Sequence, residues 1–198
     1  MAEAITLRDI LPLHVYRARR DEYVATMIEY KRDRRIKLFE YISILFENRQ
    51  TVLFQIQELS HCEDLTDERE LHEYIDIYSG MLPADDELSA TLFIELDDQK
   101  RLEEVLVTLK GIEHHLFLKV GDETVKAVFE EVHDDREFTT SVHYLKFPLT
   151  NGALSYLQSH TAEAADLTII LNHPSLSAEV KLPVETVKSL QADLTSES

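Results

Sequence analysis

Between residues 90 and 182 the chain keeps returning to one pattern: a short β-branched, aromatic or leucine-rich run, a polar turn, then another such run. No other feature constrains the fold as much. "ATLFIEL" (90–96), "HHLFLKV" (114–120), "TVKAVFEEVH" (124–133), "TSVHYLKF" (140–147), "LTIILNH" (167–173) and "AEVKL" (178–182) read as strands. Helical stripes fall between only some of them. Asp97 or Asp98 opens one with Leu102, Val105, Leu106 and Leu109 on a single face, ended by Gly111. "NGALSYLQSH" (151–160) is a second, and Pro183 opens a last helix with Val184, Val187 and Leu194 inward. Strict strand–helix alternation would imply a parallel sheet, whereas consecutive strands joined by short turns pair antiparallel. The expected class is α+β: a helical N-terminal part packed on a largely antiparallel sheet with helices.

The first part of the chain is patterned differently. Four glycines and five prolines in 198 residues leave few turns, so elements should be long. Asp9 is placed to cap a short helix with Pro12 in its first turn. Residues 21–37 read as a helix with a stripe of Tyr23, Val24, Met27, Ile28 and Tyr30, and "EYISILF" (40–46) reads as a strand. "TDERELHEYIDIYSGMLP" (66–83) is the clearest helix: Asp67 and Glu70 have capping-box spacing, Leu71, Tyr74, Ile75 and Tyr78 form one face, and Gly80 and Pro83 close it. The polar joint "ADDE" (84–87) follows. One domain over 1–198 is expected, divisible into a mainly helical part, 1–83, and an α+β sheet part, 88–194.

The stretch "ILFENRQTVLFQIQE" (44–58) admits two readings. As a hairpin, Val52, Phe54 and Ile56 face inward. As strand–turn–helix, Val52, Leu53, Ile56 and Leu59 form the buried stripe and Asn48 is the N-cap. The second is favoured, because "QIQELSH" is rich in helix formers. It aims free backbone N–H groups and Arg49 the same way, an arrangement suited to an anion. It is not a P-loop, since it has neither glycine nor a Lys-Ser/Thr pair.

Charge decides which partners are plausible. The chain carries 20 Lys and Arg against 38 Asp and Glu, net -18. Residues 1–50 hold ten basic against eight acidic residues, whereas residues 51–198 hold ten against thirty. A field this acidic repels nucleic acid and anionic membranes and favours basic partners, cations or plain solubility. The basic N-terminal part is also suited to dock on the acidic remainder, within one chain or across a dimer. A lone Cys62 excludes an intramolecular disulfide and fits a reducing compartment. No apolar run reaches membrane-span length and "MAEAITLRD" has no signal-peptide pattern, so a cytoplasmic location is expected.

The basic run "KRDRRIK" (31–37) continues the apolar helical rows into cations. Cations answering the negative end of a helix, with aliphatic stems covering the core edge, explain it structurally. The functional alternative is a cationic surface for a phosphate, a carboxylate or an acidic partner. Lys31, Arg34, Arg35, Asn48 and Arg49 are the candidate binding residues. His143 shares a strand face with Leu145 and Phe147 and is the one candidate acid or base, though a satisfied core histidine is the simpler reading. "HCED" (61–64) with Glu68 and His72 is the best local metal cluster, but no His-Glu-x-x-His, paired-cysteine or EF-hand pattern supports it, and no metal ligands are assigned.

"ITLRDILPL", "YKRDRRI", "LFENRQTVLFQIQE", "LSATLFIEL", "VHYLKFPL" and "NHP", in that order, resemble a bacterial family catalogued as domain of unknown function 3501, over almost the whole chain. The resemblance implies a soluble accessory protein working beside rubrerythrin-like and iron–sulfur redox proteins. It supplies no reaction, cofactor or ligand residues, and the chain has no cysteine motif for an iron–sulfur cluster of its own. The expectation is a non-catalytic binding or accessory protein with an arginine-rich surface for a protein partner, a second copy or a small anion. A metal- or histidine-dependent enzyme and an oligomeric scaffold are the alternatives.

Overall fold

Period-two alternation, with apolar side chains at every second position, builds most of the molecule. The computed structural model describes residues 4–132 and 135–195. Its first sheet joins β1 (Arg35–Phe39), β2 (Ile42–Glu47), β3 (Glu87–Ile94), β7 (Val142–Pro148) and β6 (Val128–Phe129), in that spatial order. The second joins β5 (Glu123–Lys126), β4 (Leu116–Val120), β8 (Leu167–His173) and β9 (Leu176–Lys181). Every pairing is antiparallel. Since β1 pairs with β2 and β2 pairs with β3, the first sheet draws strands from both sides of the "ADDE" joint.

The two sheets share one core. Ile44, Phe46, Leu92, Ile94 and Phe147 come from the first, and Leu116, Leu118, Ile169 and Leu171 from the second. At one margin the chain steps between sheets: Ala127 N–H donates to Leu116 O and Glu130 N–H to Tyr144 O, so the run expected as one strand, 124–133, divides into β5 and β6. Val125, Ala127 and Phe129 stay buried through the step, so alternation survives the change of sheet. His133 and Asp134, at the end of that run, lie outside the described residues. At the other margin β1 lies beside β9. Few sheet edges are therefore left open.

Helices complete the layers. α1 (Leu13–Arg32) follows Pro12 and α2 (Arg49–Cys62) follows its cap Asn48. α3 (Glu68–Ser79) is capped by Asp67, whose side chain accepts from Arg69 N and Glu70 N. α4 (Gln99–Thr108), α5 (Asn151–Ser159) and α6 (Val184–Thr195) begin after Asp98, Thr150 and Pro183. Val52 and Ile56 of α2 and Ile75 of α3 form a second, smaller core with Ile5 and Met81 on the outer face of the first sheet. α1 lies against α2 and buries one residue, Tyr16. It is held through polar groups: Glu58 accepts from Tyr16 Oη at 2.5 Å and from Arg20 Nε and NH2 at 2.9 and 2.6 Å.

Three further expectations shift. Asp9 caps no following helix: it is the last residue of the short 3-10 turn Leu7–Asp9, whose N-cap is Thr6, and Pro12 stands at the N-cap of α1. The helix expected over 21–37 runs from 13 to 32, because the Ile36–Leu38 alternation makes 35–39 a strand. Val184 points outward, and Val187 and Leu190 carry the buried face of α6.

Candidate functional site

Ending α1 at Arg32 redistributes the basic run. Arg34 falls in the turn before β1 and is 0% exposed. Its Nε donates to Phe46 O at 2.9 Å, NH1 to Ser189 Oγ at 2.5 Å and NH2 to Asp193 Oδ2 at 2.6 Å. The Tyr30 ring covers it, 5.6 Å from centroid to guanidinium carbon. A fully buried cation needs this degree of pairing. Arg34 is thus a clamp between the β1–β2 hairpin and α6, with no face turned to solvent.

Asn48 belongs to the same clamp. Its Oδ1 accepts from Gln50 N and Thr51 N at 3.1 and 3.2 Å, and Thr51 Oγ1 accepts from Asn48 N at 2.9 Å. The amides expected to be free for an anion are therefore taken up by the cap. Asn48 Nδ2 donates to Asp193 Oδ1 at 2.8 Å and to Tyr30 Oη at 2.6 Å. One carboxylate, Asp193, therefore gathers Arg34 and Asn48. Arg49 points elsewhere: its NH2 meets Asp9 Oδ1 at 2.8 Å, tying α2 to the short 3-10 turn Leu7–Asp9. Asp9 is held below the ordinary carboxylate range by the Thr6 backbone first and by Arg49 next.

Lys31 sits in the last turn of α1 with its Nζ 5.2 Å over the Phe54 ring. Burial lowers its pKa from the ordinary value, with the Glu47 carboxylate pulling the other way. Glu47 is itself buried; Oε1 accepts from Thr91 Oγ1 at 2.7 Å, and Oε2 has no partner among the described residues.

Of the candidate cations only Arg35 is displayed. It projects from the outer face of β1, stacked 4.8 Å over the Phe93 ring. NH1 donates to Ser43 Oγ at 3.1 Å and lies 3.5 Å from Glu95, which leaves Nε and NH2 available. Lys37, two residues on, shares that face and has no side-chain partner among the described residues. Arg32 joins them along a groove of about 380 Å³ that also touches Phe39, Tyr41 and Ser43. The cations lining this groove are therefore Arg32, Arg35 and Lys37, of which Arg32 is paired with Glu29 at 2.8 Å and Asp33 at 3.5 Å. Lys37 was missed as a site residue, although the alternation in "RIKLF" is the signal that places it beside Arg35.

His143 is 4% exposed, with Nε2 at 2.9 Å from Thr139 Oγ1 and its ring edge-on to Phe129 at 5.4 Å. It is a hydrogen-bonded core histidine. At "HCED", His61 Nδ1 accepts from Arg17 Nε, Asp64 pairs with Arg17, and Glu63 accepts from Tyr74 Oη. Among the described residues no three His, Cys, Asp or Glu side chains converge as a metal site. No helix among them is long and apolar enough to cross a membrane.

Comparison with known proteins places this geometry. A family model described as "Protein of unknown function (DUF3501)" matches residues 4–194. A crystal structure of a novel protein of unknown function from Burkholderia pseudomallei K96243 is similar over 97% of this chain and 100% of that one, with 31% identity and a TM-score of 0.89. No curated protein matches.

Proposed function

Because the chain belongs to the DUF3501 family of proteins of unknown function, we propose a role that rests on its surface: a non-catalytic accessory protein that binds acidic partners through Arg32, Arg35 and Lys37. One observation carries this reading. In a chain of net charge -18, Lys37 and two nitrogens of Arg35 stand on one strand face with no partner among the described residues, while Arg34 and Asn48 close to them are consumed by Asp193. Cations with open donors flanked by Phe39, Tyr41 and Phe93 suit carboxylate-bearing segments that also bring apolar groups. The resemblance drawn from the sequence makes rubrerythrin-like and iron–sulfur redox proteins the setting for this role.

Titration with poly-L-glutamate tests it. Wild-type protein is expected to bind, and Arg35→Ala combined with Lys37→Ala is expected to abolish binding with the melting temperature unchanged. Binding retained by the double variant would remove the groove as the site.

A further inference from the structure

We propose that the helix-free end of the first sheet is a self-complementary face on which a second copy of this chain docks about a two-fold axis; the inference rests on the reading of that face as the recognition surface. α2 and α3 cover only part of the sheet's outer side. In the uncovered part the register sets Lys37, Ser43, Phe93 and Val142 in one row across β1, β2, β3 and β7. Phe39 and Val142 are 38% and 40% exposed.

Two grooves flank a ridge on this face. The cationic one holds Arg32, Arg35 and Lys37. The other, about 620 Å³, is lined by Phe93, Leu96, Asp97, Leu102 and Val142, with no cation. Glu40 and Glu95 border both. These two carboxylates are about two-thirds exposed and loosely held: Glu40 lies 3.8 Å from Arg101, and Glu95 lies 3.5 Å from Arg35.

A ridge carrying carboxylates beside a groove whose cations keep open donors, Lys37 Nζ and the Nε and NH2 of Arg35 among the described residues, meets the requirement for an isologous contact, in which residue i meets j and j meets i. Rotating one copy by a half-turn sets Glu40 and Glu95 of each into the Arg35–Lys37 groove of the other. Phe39, Phe93 and Val142 then meet near the axis, giving an aromatic centre with a charged rim. A charge of -18 on each copy opposes approach at long range. Self-association should therefore strengthen from low to moderate salt, as repulsion is screened over roughly 8 Å.

Sedimentation equilibrium of the full chain tests this. The expected result is a species of twice the 22.9 kDa chain mass that dissociates on dilution. Arg35→Glu and Glu95→Arg should each weaken association about tenfold or more, and an equimolar mixture of the two should restore it as a heterodimer. Lys37→Glu serves as a second probe should Arg35→Glu fail to give a folded protein by circular dichroism. A single-chain mass at every concentration and salt overturns the proposal, as does a dimer that both reversals leave intact or a mixture that does not re-pair. Poly-L-glutamate run in parallel separates the two ideas. Binding by a protein that stays monomeric keeps the recognition surface and removes the dimer, whereas loss of both removes the surface as well.

Discussion

Arg34 and Arg35 are adjacent in the chain and live in opposite surroundings. Arg34 is sealed in a corner made by Phe46 O, Ser189, Asp193 and the Tyr30 ring. Arg35 lies open on a sheet face beside Lys37, which has no side-chain partner among the described residues. The difference comes from the onset of a strand, in which successive side chains go to opposite sides. It shows that a basic run is not one functional unit: in "RRIK" one cation is structural and two are displayed, and only their position relative to the strand separates them.

The contrast can be broken most forcefully at Arg34. Arg34→Met removes the donor to Asp193 Oδ2, Ser189 Oγ and the Phe46 carbonyl and leaves Asp193 with Asn48 alone, so chemical denaturation should show a loss of about 3 kcal/mol or more. A loss below about 1 kcal/mol would mean that the corner is not sealed. Asn48→Ala comes next, because it removes both a helix cap and a contact to Asp193. A loss of about 2 kcal/mol is expected by the same measurement.

A third effect belongs to α1, whose attachment runs through Glu58. The Arg20 guanidinium holds Glu58 below its ordinary carboxylate value, burial opposes this, and the Tyr16 hydroxyl adds to the lowering. Its stabilising contribution is therefore complete above the unfolded value of about 4.5 and is lost as pH falls through the lower folded value. Amide exchange in α1 should rise over that acidic window ahead of exchange in the sheets. In Glu58→Gln it should be fast already at neutral pH. The smallest effect is at the open face, where Arg35→Ala with Lys37→Ala should move stability by no more than about 0.5 kcal/mol. A larger fall would show that the displayed cations also hold the fold together and would dissolve the contrast.

What could be read without the structure followed from local chemistry. Asn48 and Asp67 cap helices because the amides they satisfy are two and three residues away, within reach of a sequence pattern. Although β1 reads as the end of a helix and β5 and β6 as one strand, most strands of both sheets were legible for the same reason, since alternation is a short-range signal. The end of α1 was not, because Lys and Arg fit a helix's last turn as well as a strand surface; Ile36 and Leu38 alone distinguished them. The fate of Arg34 was hidden altogether, since its carboxylate lies 159 residues downstream. The open face was half legible: the residues were in the singled-out run, but which of them shared a side depended on where the helix stopped.

That 159-residue separation bears on how the protein is made. A ribosome adding roughly 5–20 residues per second delivers Asp193 on the order of ten seconds after Arg34 has emerged. Until then the guanidinium that anchors the first hairpin has no carboxylate, and Asn48 lacks one of its acceptors. The first sheet can gather β1, β2, β3 and β7 as they appear, but its corner closes only once α6 has been translated. A nascent chain arrested before α6 would lack both Ser189 and Asp193, and the Arg34 guanidinium would keep only the Phe46 carbonyl as a hydrogen-bond acceptor.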